Sequence, residues 1–277
     1  MHRFLANFKS VRHVVARLAA GLFALCLPGL SFAASPVLDR VIDSGVLRIA
    51  MSADQPPYNF RSKDKSVIGF DVDLARGLAG AMRVKLEIVE VPFGDLLAVL
   101  IDDKADMVIS GMAITPQRSL RVSFVGPYTM SGKSMLTTAR VKNAVEDGSV
   151  FNKPEIRVVA LRNSTSETFV QHNLPEASLH TIGNYNEGIQ MLLTGEIDAM
   201  VADIPILKLS MLRNPEAGLG IIDPPLAVEP VGIAIPGNDR QFQNLVRNYL
   251  NAIEKTGLIN SLRQKWFEDD SWIAALP

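Results

Sequence analysis

The sequence predicts an α/β protein of two lobes, each a mostly parallel sheet flanked by helices, with two chain crossings between them. Three observations carry this expectation. Strand and helix patterns alternate from residue 46 onward in β-α-β-α-β order; the alternation restarts after a polar stretch, Lys142–Pro154; and the tail returns to helix after one more strand. Alternating β and α patterns imply parallel strands with helices covering the sheet faces.

Taken in order, Val46–Met51 reads as a buried strand. Asp71–Met82 reads as a helix, with Leu74, Leu78, Ala81 and Met82 at helical spacing and Asp71 as its N-cap. Lys85–Val91 alternates as a strand. A helix near Gly94–Ile101 and a strand Asp106–Ser110 complete the first unit. The second unit reads as strand Ile156–Ala160, helix Ser166–Asn173, strand Leu179–Ile182, helix Asn186–Leu193, strand Ile197–Ala202 and helix Ile204–Leu212. Strand Val231–Ile235 then leads into helix Asp239–Thr256. That helix carries Phe242, Leu245, Val246, Tyr249, Leu250 and Ile253 on one face. A short helix Leu258–Phe267 ends the pattern. The crossings are expected near Thr137–Val141 and Leu226–Pro230. This divides the chain into lobe 1 (34–138 and 229–277) and lobe 2 (139–228).

Residues 1–33 read as a cleavable export signal. Arg3, Lys9, Arg12 and Arg17 precede an apolar core, Leu18–Leu30, and Ser31-Phe32-Ala33 sets small residues at the cleavage site. That core is too short to span a bilayer, which takes about 20 residues. The one cysteine, Cys26, lies inside the signal, so the mature chain has no disulfide or thiolate chemistry. Taking the signal's four bases from the 28 leaves 24 against 29 acids, net −5. That balance argues against nucleic acid or anionic lipid as a partner.

Four segments resemble the polar amino-acid-binding proteins of ABC importers (solute-binding protein family 3). They are Gly69-Phe-Asp-Val-Asp-Leu-Ala75; Asp106–Arg118 with Phe124–Tyr128; Gly195–Asp203; and Lys265-Trp-Phe267. The likeness runs through the mature chain in order. It implies the type II periplasmic-binding-protein fold, a periplasmic monomer, an amino-acid-like ligand captured by hinge closure, and delivery to a membrane permease. No cofactor or metal is implied.

The residues have chemistry of their own. Arg118 follows the strand end at Ser110 in a loop marked by Thr115-Pro116, where a guanidinium can hold a carboxylate through two parallel hydrogen bonds. Asp203 closes an apolar strand. It either caps the helix beginning at Ile204 or, as the resemblance implies, meets the ligand's ammonium. Ser164-Thr165-Ser166 marks a strand-to-helix junction whose N–H groups suit an anion. Asn163 stands where the family has glycine and tolerates left-handed backbone. The resemblance further implies carbonyls of Ser110 and Gly111 for the ammonium and the N–H of Ala113 for the carboxylate.

Selectivity is less marked. Gln55 occupies the place of an aromatic that stacks on the ligand in relatives, and Ser52 that of an acid found in relatives selecting cationic side chains. A polar or neutral amino acid is therefore expected, with Gln55 and Tyr58 at the site, although Tyr58 and Phe93 read equally well as core. Gly132-Lys133-Ser134 lacks the spacing of a phosphate loop. His172 and His180 have no metal-ligand spacing, and no Gly-x-Ser-x-Gly elbow is present. The chain is thus expected not to be an enzyme. The rival readings are a dehydratase descended from such binding proteins, using Asp54, Glu167 or Asp203 as acid or base, and a periplasmic ligand sensor.

Overall fold

The structure, a computed structural model, describes residues 35–138 and 151–277. The signal at 1–33, Cys26, the lobe boundary at 139, the end of the first crossing at Val141 and most of the polar stretch Lys142–Pro154 lie outside the described residues.

The elements run α1 (Pro36–Ser44), β1 (Val46–Met51), β2 (Asp54–Gln55), β3 (Asn59–Arg61), β4 (Val67–Ile68), α2 (Phe70–Met82), β5 (Lys85–Glu90), α3 (Leu96–Ile101), β6 (Met107–Val108), α4 (Pro116–Ser119) and β7 (Ser123–Thr138). Next come β8 (Arg157–Leu161), α5 (Thr165–Asn173), β9 (Ser178–Ile182), α6 (Tyr185–Thr194), β10 (Ala199–Asp203), α7 (Ile204–Arg213), β11 (Leu219–Ile221), β12 (Ala227–Ile235), α8 (Arg240–Lys255) and α9 (Leu258–Arg263).

One sheet runs β5-β1-β6-β12-β7-β10-β8-β9, with β11 added to β7. Its two ends are parallel, β5-β1-β6 and β10-β8-β9, as the alternating pattern requires. Its middle is antiparallel. Strand β7 pairs with β12 from Ser123 to Lys133 and with β10 from Lys133 to Thr137. The α/β two-lobed class expected from the sequence is what the chain adopts, with β7 and β12 as the shared centre. The small sheet β2-β3-β4 packs beside the first parallel half.

Each helix is held by the face its sequence supplies. In α8, Phe242, Val246, Leu250 and Ile253 are buried, and Asp239 caps the helix by accepting from Phe242 N at 2.8 Å. Burying such side chains stabilises by about 1.5–3 kcal/mol each. Helix α2 departs from expectation. Its N-cap is Gly69 at φ 139°, where a Cβ would lie 2.2 Å from the Tyr58 carbonyl oxygen. The helix therefore starts one residue early, and Asp71 falls in the first turn, fully buried, instead of capping. No helix among the described residues is long and apolar enough to cross a membrane.

Candidate ligand-binding site

The carboxyl ends of β6 and β10 face the same cavity, one from each half of the sheet. The loop after β6 is laid against β12 by Ile114 N to Pro230 O at 2.7 Å and Gly232 N to Met112 O at 3.0 Å. These bonds flank Ala113, so its own N–H is not spent on the ladder. Thr115 then caps α4 by accepting from Arg118 N at 3.2 Å, which turns Arg118 back over the loop. Its Nη1 donates to Ala113 O at 2.7 Å and its guanidinium lies 5.7 Å from the Phe93 ring centre. Its Nη2 reaches across to Asn163 O at 3.1 Å. Two of its five N–H donors are thus spent on carbonyls, and three stay available. Burial pulls the Arg118 pKa down, and the nearby Glu229 and Asp203 carboxylates counter it.

The opposite wall is built at the start of α5 and the end of β10. Asn163 takes φ 58°, the left-handed turn expected of it. Ser164 caps α5 by accepting from Glu167 N at 3.2 Å, so the ordinary capping role is filled at a turn that also lines the cavity. Asp203 stands at the N-cap of α7 without making a side-chain cap bond, so the capping explanation does not account for it. Its carboxyl is pushed up to about 6, chiefly by burial and further by Glu229; Lys133, Ser131 and Arg118 pull the other way.

Arg118, Asp203, Gln55, Gly111, Ala113, Ser164 and Thr165 all line this cavity, together with Phe93, Ser131, Tyr185 and Glu229. The space between them is about 10 Å³, room for about one water. A larger hollow of about 300 Å³ adjoins it at Tyr185, lined by Asp54, Asn186 and Arg213 but by neither Arg118 nor Asp203. Arg118 and Asp203 both lie on the smaller space. Its polar walls hold buried atoms with no partner of good geometry, Gln55 Nε2 and Ser131 Oγ. Ser131 is nonetheless close enough to Asp203 to favour its ionised form. Leaving such an atom unpaired costs about 1–3 kcal/mol, which a ligand's polar groups can recover.

Two expected site residues do not reach the cavity. Tyr58 is 1% exposed and packs edge-on against Phe267 at 5.2 Å, because the Gly69 turn seats its backbone in the core. Ser110, expected to offer its carbonyl, does not line the cavity, and its hydroxyl is engaged inward, accepting from Ser52 N at 3.1 Å and Asn59 Nδ2 at 3.3 Å. Behind the loop, Asp71 accepts from Gly111 N (2.8 Å), Asn59 Nδ2 (2.9 Å) and Tyr128 OH (2.8 Å). This carboxylate holds the loop's backbone in place. Burial raises its pKa to about 6 against the pull of those three bonds.

Two residues were not anticipated. Lys133, on β7, is wholly buried; its Nζ donates to Thr165 Oγ1 at 2.6 Å and Glu229 Oε2 at 2.8 Å. Thr165 in turn donates its hydroxyl to Glu229 at 2.6 Å, so that hydroxyl is engaged and the backbone N–H is its open donor. The sequence neighbours of Lys133, Ser131, Gly132 and Ser134, gave no sign of burial, which comes from the pairing of β7 on both sides.

A two-lobed α/β fold with a small polar cavity between facing strand ends defines the type II binding-protein class. The chain belongs to the bacterial extracellular solute-binding proteins, family 3, whose model matches residues 47–269. It is 28% identical over 260 residues to the cyclohexadienyl dehydratase of Pseudomonas aeruginosa, covering 94% of this chain and 96% of that one. Among solved structures it resembles an ancestral amino-acid-binding protein described as a precursor of cyclohexadienyl dehydratase, at 33% identity and TM-score 0.77, covering 83% of this chain and 99% of that one. It also resembles a putative ABC-transporter binding component from Wolinella succinogenes complexed with lysine, at 34% identity and TM-score 0.78, covering 83% and 98%.

Proposed function

We propose that this chain is an exported periplasmic receptor that captures an α-amino acid with a polar or uncharged side chain and delivers it to the permease of an ABC importer. The observation that carries the reading is the pairing of Arg118 and Asp203 on one small cavity, from opposite halves of the sheet. The three open N–H donors of Arg118, with the N–H groups of Ala113 and Thr165, suit the ligand's carboxylate. Asp203 and the Gly111 carbonyl suit its ammonium, and Gln55 Nε2 suits a polar side chain.

Capture proceeds by hinge closure of the first lobe on the second, with the boundary expected after residue 138 drawn back along β7, because Lys133–Thr137 pairs with β10 of the second lobe. The change of partner along β7 supports a bend near Met130–Lys133, and entry of an amino acid into so small a space requires the walls to part. Family membership supports the importer role and the periplasmic location; the protein acts as a monomer and performs no chemistry. A thermal-shift screen of the mature protein against amino acids, dicarboxylates and cyclic acids tests this. One or a few amino acids should raise the melting temperature by mass action. No amino-acid response, together with turnover of a cyclic acid, would replace the reading with its rival.

That rival, a dehydratase, is favoured by one specific observation besides the Pseudomonas relative. A carboxyl with a pKa of about 6 beside a carboxylate clamp is poised for acid–base work.

A further inference from the structure

The cavity contains more charge than two ligand ends require. Besides Arg118 and Asp203, Glu229 lines it, and the ammonium of Lys133 stands directly behind Glu229 at 2.8 Å. Lys133 is 1% exposed at its side chain and Glu229 23%, so the acid faces the cavity and the base is sealed beneath it. Thr165 locks the pair from the third side, accepting from Lys133 and donating to Glu229. The two charges come from the central strands β7 and β12, two residues apart by register, since Glu229 faces Ser131 and Ala227 faces Lys133. Other acids near the loop point elsewhere. Asp71 is spent on three donors behind it, and Asp54 opens to the neighbouring hollow that Arg213 also lines.

We propose that Lys133 and Glu229 form an internal counter-ion pair that sets the cavity's charge to balance, making Lys133 the residue that selects amino acids with uncharged side chains. Arg118 and Asp203 cancel against the ligand's own two ends. With Glu229 already neutralised, a cationic side chain finds no free anion and an anionic one no free cation. Each would then be desolvated without a partner, which is costly in so small a space. Removing either member of the pair leaves one bare charge in the cavity and moves selectivity towards ligands of the opposite sign. The pair thus acts by exclusion, and no direct bond from Lys133 to the ligand is needed.

This inference rests on the amino-acid reading above, and the test separates the two. Calorimetry with glutamine, arginine and glutamate, alongside the best neutral ligand from the screen, is run on the wild type, Lys133→Met and Glu229→Gln. The wild type should favour the neutral ligand over both charged probes by at least about tenfold. In Lys133→Met the neutral-to-arginine affinity ratio should fall at least about tenfold. Glu229→Gln, nearly isosteric and partly exposed, should lower the neutral-to-glutamate ratio by a similar factor, so the inference survives if the buried lysine variant does not fold. The double variant Lys133→Met/Glu229→Gln should return to the wild-type order. A wild type that binds neutral ligands, with folded single variants keeping its rank order, overturns the counter-ion role alone. A wild type preferring arginine or glutamate overturns it as well. A wild type binding no amino acid overturns both readings.

Discussion

Asp71 and Asp203 make a controlled comparison within one molecule. Each carboxyl sits at the start of a helix and is raised to about 6 chiefly by desolvation, Asp71 behind the loop that walls the cavity and Asp203 on the cavity itself. Asp71 has three hydrogen-bond donors from its own chain. Asp203 has neighbouring charges but makes no cap bond and faces the cavity. Asp71 is fully buried and Asp203 partly so, yet their pKa values are raised alike. The proposed difference in role rests on the fold having satisfied Asp71 through three donors, while Asp203 lines the cavity.

The comparison can be broken at several points, the largest effect first. Arg118→Ala should weaken binding by about 30-fold to several thousandfold, since losing a buried charge-assisted partner costs about 2–5 kcal/mol. Stability should change much less, and calorimetry with denaturant melts on the same sample reads both. Asp71→Ala should do the reverse. It strands three buried donors at about 1–3 kcal/mol each, so unfolding free energy should drop by about 3–5 kcal/mol.

Asp203→Asn should separate the two carboxylates most clearly. Binding of an α-amino ligand at pH 7.5 should weaken about a hundredfold, while the free protein becomes about 1 kcal/mol more stable, because a poorly compensated buried charge is removed. A fall in stability would show that Asp203 is structural after all. The pH dependence follows from the same group. Its folded pKa of about 6 exceeds the unfolded 3.8, so folding takes up a proton there and stability declines as pH rises through roughly 4 to 6. Ammonium binding needs the ionised form, so affinity should fall about tenfold per pH unit below about 6 and level off above it. Asp203→Asn should flatten that profile. The smallest change is Gln55→Ala, which should weaken a polar ligand by about fivefold, roughly 1 kcal/mol, and leave an alanine-sized ligand nearly unaffected.

How much of this was legible in the sequence depended on the range of the interaction. Helix α8 was readable because its apolar face and the Asp239 cap are local. Strand β7 was not read as one 16-residue element, since Gly126-Pro127 and Gly132 punctuate it like turns. Its continuity comes from pairing with β12 and β10, which are remote in sequence. That Arg118 and Asp203 line one cavity was legible because one lies in the loop after a strand and the other ends a strand. Tyr58 read equally well as core or cavity wall, and a close approach at Gly69 that only the fold reveals decides for the core. Lys133 and Glu229 were missed because their contact spans 96 residues.

The central claim is that Arg118 and Asp203 read the two ends of one α-amino acid. The most direct measurement is calorimetry of the captured amino acid against its 2-hydroxy analogue, with the wild type and Asp203→Asn. The account predicts that the wild type prefers the amino acid by about a hundredfold or more and that Asp203→Asn binds the two nearly equally. A wild type indifferent to the ammonium, or a variant that keeps the preference, would contradict it.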